Sequence, residues 1–135
     1  MKARPARWAN SSLQVTPDLQ DLAAYGISQP VIDLWSARFP NGLNDLQLAA
    51  VNDGRVLSGE SLLVIAPTSA GKTFIGELAA IKATQRGQKA VFLLPYKALV
   101  NEKYDEFSEL YGEKLGLRVA RCSGDIKIRP PHSQR

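Results

Sequence analysis

The segment IAPTSAGKTF at 65–74 constrains the fold of this chain more than any other stretch. It overlaps an apolar run, SLLVIA at 61–66, which is typical of a parallel strand covered on both faces. A helical pattern, KTFIGELAAIKATQRG, begins within it at residue 72. The small residues between them let the backbone curve, and the amides of Thr68 to Lys72 are expected to point inward at the helix N-terminus. The pattern therefore predicts a phosphate-binding loop between a strand and a helix.

The residue spacing in this loop, Ala66-x-x-x-x-Gly71-Lys72-Thr73, fits the Walker A pattern with alanine in place of the usual first glycine. Lys72 supplies a positive charge for the β- and γ-phosphates of a nucleotide, and the hydroxyl of Thr73 is placed to ligate Mg2+. We therefore predict Lys72 and Thr73 as catalytic residues, with Thr73 as the metal ligand. The alternative is a strand–turn–helix with an incidental Gly-Lys-Thr, and the agreement of loop, strand and helix argues against it.

Apolar runs alternate with longer helical patterns downstream of residue 60. The runs are at 61–66, 89–95 and 117–122, and the helical patterns are at 72–87 and 96–112. This order predicts right-handed crossovers and an open parallel sheet of about three strands with flanking helices, which is an α/β fold. Three short helices are expected upstream, within 16–26, 28–40 and 44–52.

Local signals set the details of the upstream helices. In TPDLQDLAAYG, Thr16 is the predicted N-cap and Gly26 the stop. In the third helix, Leu46, Ala49 and Ala50 fall on the face that is expected to be buried.

Composition adds few limits on function. With 135 residues, of which 44% are hydrophobic and 22% charged, the chain is long enough for one globular domain with a core. Its longest apolar run is too short to span a bilayer, so no membrane partner is expected. Of the net charge of +4, much lies in two basic ends that we interpret as solvated tails. The single Cys122 excludes an internal disulfide and favours a reducing, cytoplasmic setting, or a nuclear one in a eukaryote.

Three further segments accompany the loop: LNDLQLAAV at 43–51, LPYKALVNEKYDEF at 94–107 and CSGD at 122–125. Together with the loop they resemble superfamily-two helicases of the DExH/DEAD-box type, and more narrowly the superkiller-type group. APTSAGKT is similar to motif I of these proteins, and LPYKALVNEKYDEF to motif Ia, a Pro-x-(Arg/Lys)-Ala-Leu segment that follows the second strand. CSGD at 122–125 resembles the Gly-Asp element after the third strand, and LNDLQLAAV resembles the segment that carries an adenine-reading Gln. The resemblance covers about residues 25–128.

This resemblance implies a partial RecA-like domain with ATP and Mg2+ as cofactors and single-stranded RNA or DNA as partner. Gln47 is implied to bind the adenine edge, since an amide both donates and accepts; a surface Gln on an amphipathic helix is the alternative. The implied ATP-binding residues are Gln47, Pro67, Thr68, Ser69, Ala70, Gly71, Lys72 and Thr73. The implied nucleic-acid-binding residues are Pro95, Tyr96, Lys97, Ala98, Gly124 and Asp125. An ordinary strand–helix turn remains the alternative for the motif Ia segment.

Trp35 and Phe39 are aromatic candidates for stacking near the base, although their helical spacing is more typical of a core. Asp105 and Glu106 imitate the acidic pair of motif II. They follow a polar helical stretch instead of an apolar strand, so we predict them on the exposed face of the 96–112 helix.

The predicted organisation has four regions: a flexible basic tail at 1–15, a helical lead-in with the adenine-recognition segment at 16–60, a partial RecA-like ATP-binding domain at 61–126 and a disordered tail at 127–135. We expect the chain to be the N-terminal ATP-binding fragment of a helicase whose full-length form couples ATP hydrolysis to unwinding. Its missing partner would be the C-terminal helicase half. The unpaired edges of a partial sheet predict marginal stability.

The 135-residue chain is expected to show no ATPase activity above background, because the motif II acid and the second domain are not in it. Steady-state phosphate release from the purified chain measures this. Turnover that Lys72→Ala abolishes would contradict the expectation. Two alternatives stay open: an inactive nucleotide- or nucleic-acid-binding module from a truncated reading frame, and a small P-loop kinase or GTPase-like switch, which would need an acidic strand end that none of the runs supplies.

Overall fold

The computed structural model describes residues 13–123, which form parts of two compact units. The first unit lies within residues 1–91 and the second within 92–135, so the boundary falls inside the region 61–126 predicted as one partial domain. The predicted site residues Gly124 and Asp125, the predicted tail at 127–135 and most of the tail at 1–15 lie outside the described residues.

Helices form both upstream and downstream of the loop, as predicted. The α-helices are α1 (Gln29–Arg38), α2 (Asp45–Asn52), α3 (Lys72–Gln85) and α4 (Lys97–Phe107). Short 3₁₀ helices lie at Leu19–Tyr25, Val56–Ser58 and Thr68–Ala70, and a π-helix at Ser108–Glu113 continues α4. Within the described range, every helix is too short or too polar to cross a membrane.

The first helix begins at Leu19, later than predicted, although the hydroxyl of Thr16 accepts from the amide of Asp18 at 3.2 Å. Both the backbone amide and the hydroxyl of Thr16 donate to the carboxylate of Asp21, at 2.8 and 2.6 Å. These bonds, the side-chain one first, lower the pKa of Asp21. Asp18 is the N-cap instead, accepting from the amide of Gln20 at 3.0 Å, and a 3₁₀ helix follows. The predicted stop is confirmed, since Gly26 adopts the left-handed conformation with φ of 85°.

The predicted buried face of α2 is confirmed for Ala50 and wrong for Leu46 and Ala49. Gln47, Ala50 and Val51 are its buried residues, whereas Ala49 is exposed and Leu46 only half-buried. The face predicted from the apolar pattern is shifted by about one residue from the face that is buried in the structure. Gln47 is drawn inward by hydrogen bonds that a hydrophobicity pattern does not represent.

The core of the first unit is shared between the lead-in helices and α3. Trp35 of α1 is fully buried and meets Phe74 of α3 edge to face, with ring centroids 5.1 Å apart. Phe39 also contacts Phe74, at 4.5 Å between centroids. The prediction that Trp35 belongs to the core is thus confirmed. The largest fully buried side chains are those of Trp35, Leu22, Ile32, Leu57, Leu78 and Val51.

No β-strand forms within 13–123, so the predicted three-stranded sheet is not confirmed by the described residues. The segments predicted as strands carry no regular structure, and several apolar side chains of the first two are exposed: Leu63 by 83%, Ile65 by 87%, Val91 by 80% and Leu93 by 91%. A strand is stable only when neighbouring strands satisfy its backbone and other elements cover its faces. Half-buried and exposed residues alternate along 117–123, and this two-residue period is that of a strand.

The second unit is built around α4, which has no fully buried residue. Phe107 contacts Phe92 and Tyr111, with centroids 5.1 and 5.6 Å away. Arg121 lies over the ring of Tyr104 at 4.6 Å and donates to the side chain of Asn101 at 2.9 Å, so the 117–122 segment packs on α4.

The prediction that the acidic pair lies on the exposed face of α4 is confirmed for Asp105 and only in part for Glu106. Asp105 is exposed, and Glu106 is half-buried beside Lys103, whose ammonium donates to its carboxylate at 3.0 Å.

Candidate functional site

The loop before α3 has the backbone of an anion cradle. Residues Thr68–Ala70 form one 3₁₀ turn, Gly71 adopts the left-handed conformation with φ of 83°, and α3 begins at Lys72. Pro67, Thr68 and Ser69 are exposed, as is Thr73 in the first helical turn. The predicted phosphate-binding residues are therefore brought together at the accessible end of one helix, where backbone amides and the helix dipole favour an anion.

The ammonium of Lys72 folds back over this loop. Its Nζ donates to the carbonyl oxygen of Ala66 at 2.7 Å, and the bond spans the turn from its first residue to its last. An ammonium has three donors, so this single bond leaves hydrogen-bonding capacity for phosphate oxygens. Lys72 lies at the position that the Walker A spacing predicts.

Two side chains at the start of α2 hold the loop from behind, and we call Asn44 and Gln47 the loop clamp. The Nδ2 of Asn44 donates to the carbonyl of Ala70 at 3.0 Å, and the Nε2 of Gln47 donates to the carbonyl of Gly71 at 3.2 Å. Asn44 and Gln47 also form a capping box, in which each side chain accepts from the other residue's backbone amide. The clamp is therefore fixed in place by the helix that carries it.

The clamp orients the amides of the loop. In a trans peptide the C=O and the following N–H point in opposite directions, and the described chain contains no cis peptide. Because the carbonyls of Ala70 and Gly71 point at α2, the amides of Gly71 and Lys72 point away from it.

Glycine is required at position 71 by both conformation and space. A side chain is strained at a φ of 83°, and a Cβ there would lie 2.5 Å from the Nε2 of Gln47 and 3.0 Å from the Nδ2 of Asn44. The close approach of loop and clamp thus depends on Gly71, and the residues present fit a bound phosphate group.

The predicted nucleic-acid contacts lie in the second unit, at the start of α4. Tyr96 is its N-cap and is 70% exposed, and Pro95, Lys97 and Ala98 are exposed beside it. The carbonyl of Tyr96 accepts from the amide of Val100 at 3.0 Å, which starts the helix. The segment presents an aromatic ring and a cation at a helix N-terminus.

Comparison with known protein families shows to which family the chain belongs. Residues 44–133, two thirds of its length, match the family described as DEAD/DEAH box helicase. The chain belongs to the DEAD/DEAH box helicase family. Membership implies a RecA-like fold and a use of ATP. The matched region includes the loop clamp, the phosphate-binding loop and the motif Ia segment. No solved structure matches this one.

Several archaeal helicases are similar to this DEAD/DEAH box chain. The ATP-dependent DNA helicase Hel308 of Pyrococcus abyssi is 43% identical over 100 residues, which are 73% of this chain and 14% of that protein. Hel308 of Methanocella arvoryzae is 35% identical over 111 residues, covering 80% of this chain and 15% of that protein. The probable ATP-dependent helicase MJ1401 of Methanocaldococcus jannaschii is 44% identical over 95 residues, which are 70% of this chain and 12% of that protein. The chain thus spans about one seventh of these relatives.

For this helicase-family chain, the adenine-binding role of Gln47 stays a prediction. Its side chain is buried, with only 4% exposed, and both ends of the amide are engaged. The Oε1 accepts from the amide of Asn44, and the Nε2 donates to the carbonyl of Gly71. Each end of an amide has one further hydrogen-bonding position, so an adenine edge and these bonds are compatible.

Sequence reasoning missed the contact of Asn44 with the loop and the ion pair of Arg38 with Glu77. The pattern Asn44-x-x-Gln47 carries a capping-box signal that identifies the helix start, though not the contact with the loop. Arg38 lies 39 residues from Glu77 and outside the region that matches the helicase family, so no local signal joins them.

Proposed function

We propose that the loop at 66–73 binds the β- and γ-phosphates of ATP, and that the intact protein is an ATP-dependent DNA helicase. The observation that carries the ATP site is the loop clamp, because Asn44 and Gln47 hold the carbonyls of Ala70 and Gly71 and so turn the following amides toward an anion.

Lys72 and Thr73 complete this proposal. On binding, the Lys72 ammonium exchanges or shares its bond to Ala66 with phosphate oxygens, which a cation holds through charge-assisted hydrogen bonds. The exposed Thr73 hydroxyl in the first turn of α3 would hold Mg2+, which neutralises charge that develops on the transferred phosphoryl group. In the described part of the chain, no cluster of three or more His, Cys, Asp or Glu offers an all-protein metal site.

The motif Ia segment is our candidate for contact with single-stranded DNA. Tyr96 and Lys97 are exposed at the N-terminus of α4, where a ring, a cation and backbone amides suit a sugar–phosphate backbone. The choice of DNA over RNA rests on the similar relatives, several of which are named ATP-dependent DNA helicases. Gly124 and Asp125 belong to the same proposed contact.

We also propose that the segments 61–66, 89–95 and 117–122 pair as parallel strands in the intact protein. Their exposed leucine, isoleucine and valine side chains would then be covered by the helices of a RecA-like sheet, as is usual for parallel strands. The superkiller-type subgroup, suggested by motifs I and Ia, belongs to the same proposal.

Titration of a fluorescent ATP analogue with Mg2+ into the chain tests the ATP site. Binding by the wild type is expected, and Lys72→Ala should weaken it about 10- to 100-fold, because a hydrogen bond to a charged group contributes about 1.5–3 kcal/mol. Lys114→Ala, which removes an exposed lysine of the second unit, is the control and should leave the affinity unchanged. A folded wild type that binds no nucleotide at millimolar concentration would overturn the proposed function.

A further inference from the structure

An ion pair joins the last residue of α1 to the second turn of α3. The Nη1 of Arg38 donates to the Oε1 of Glu77 at 2.8 Å, and the Glu77 side chain is only 2% exposed. We propose that Arg38 and Glu77 are positioning residues for the phosphate-binding loop. This inference rests on the proposed binding of ATP at that loop and adds residues that lie beyond it.

The pair is better suited to orientation than to stability. A buried carboxylate is costly to desolvate, and an ion pair in such a place is often no more stabilising than apolar side chains of similar volume. A hydrogen bond from a planar guanidinium, however, holds a carboxylate in a defined direction, which apolar packing does not. Glu77 on the core face of α3 therefore fixes where that face points.

Aromatic packing strengthens the same constraint. The guanidinium of Arg38 lies 4.8 Å from the ring centre of Phe39 and 5.8 Å from that of Phe74. Phe74 lies three residues before Glu77 on α3, so both side chains share one helix face. Cation, rings and carboxylate together oppose rotation of α3 about its own axis.

Rotation of α3 matters because the phosphate ligands stand in its first turn. Lys72 and Thr73 immediately precede Phe74, so a turn of the helix would move the ammonium and the hydroxyl relative to the loop. The loop clamp holds the other side of the same turn, through the carbonyls of Ala70 and Gly71. The loop is thus positioned by α1 through α3 and by α2 directly.

The test compares nucleotide affinity and stability in the same 135-residue chain. Glu77→Gln keeps the volume and removes the charge. We expect it to remain folded at the assay temperature and to bind the fluorescent ATP analogue at least about fivefold more weakly, the lower end of typical coupling between sites. Glu106→Gln, which breaks the half-buried pair with Lys103 in the second unit, is the matched control and should bind like the wild type.

A double variant separates positioning from general damage. Arg38 and Glu77 act through one pair. The double variant Arg38→Gln/Glu77→Gln should therefore bind the ATP analogue no more weakly than the single variant with the lower affinity. Wild-type affinity in folded Glu77→Gln, or additive losses in the double variant, would overturn the proposal. If Glu77→Gln does not fold, Arg38→Lys is titrated instead, since it keeps the cation and loses the planar guanidinium. Wild-type affinity in Arg38→Lys would then overturn the proposal. A wild type that binds no ATP would instead contradict the proposed function.

Discussion

Replacing Trp35 by alanine is expected to lower the free energy of unfolding of the chain by about 3–5 kcal/mol, the usual cost of deleting a buried large aromatic side chain. Trp35 has no exposed surface, and its ring meets Phe74 edge to face at 5.1 Å. The deletion would leave a cavity between α1 and α3, where neither helix can move without breaking the pair of Arg38 with Glu77. Urea denaturation followed by far-UV circular dichroism measures the change.

Trp35→Phe is the matched control for this prediction. It keeps an aromatic ring against Phe74 and should lose clearly less stability than the alanine variant, because the remaining cavity is smaller. Since natural domains are stable by only about 5–15 kcal/mol, the alanine variant should be partly unfolded at 37 °C. A loss below about 1 kcal/mol in Trp35→Ala would show that the lead-in helices do not form one core with α3.

Two signals that depend on a few neighbouring residues predicted the structure correctly. Gly26 ends its helix because only a glycine adopts the left-handed conformation there at little cost, and this is visible in a single residue type. The predicted start of a helix at Lys72 is likewise confirmed, since α3 begins at that residue. Both inferences involve only contacts that are short in sequence.

Contacts between distant residues were not predictable in this way. The inward position of Gln47 depends on the carbonyl of Gly71, 24 residues away, and overrides the apolar pattern of α2. A glutamate such as Glu77 in a helical pattern is typical of an exposed position, and its burial follows from the ion pair with Arg38. The predicted sheet depends on distant contacts even more, because a strand such as 89–95 forms only beside neighbouring strands that its own residues do not specify.

These long-range contacts share one consequence for the loop. A Walker A segment supplies amides, a cation and a hydroxyl, but its chemistry depends on the direction in which each of them points. In this chain the directions are set by Asn44 and Gln47 on one side and by α3, anchored through Glu77, on the other. The lead-in helices are therefore part of the proposed phosphate site.

Gly71→Ala is expected to weaken binding of the ATP analogue by at least about tenfold while the chain stays folded, since a displaced donor of this kind contributes about 1.4 kcal/mol or more. The new Cβ would lie 2.5 Å from the Nε2 of Gln47, so the clamp must release the carbonyl of Gly71. Once that carbonyl is released, the amide of Lys72 is no longer held toward the anion. Titration of the analogue, with circular dichroism to verify folding, measures the effect.

The matched control is Gly59→Ala. Gly59 has nearly the same backbone conformation as Gly71, with φ of 85°, but a Cβ there would meet nothing within 4 Å. Both variants therefore carry the strain of a left-handed alanine, about 1–2 kcal/mol, and only Gly71→Ala disturbs the clamp. Equal affinities in the two variants would show that the loop tolerates the loss of its contact with Gln47. A selective loss in Gly71→Ala would make the clamp, and not the glycine's flexibility alone, the reason that position 71 has no side chain.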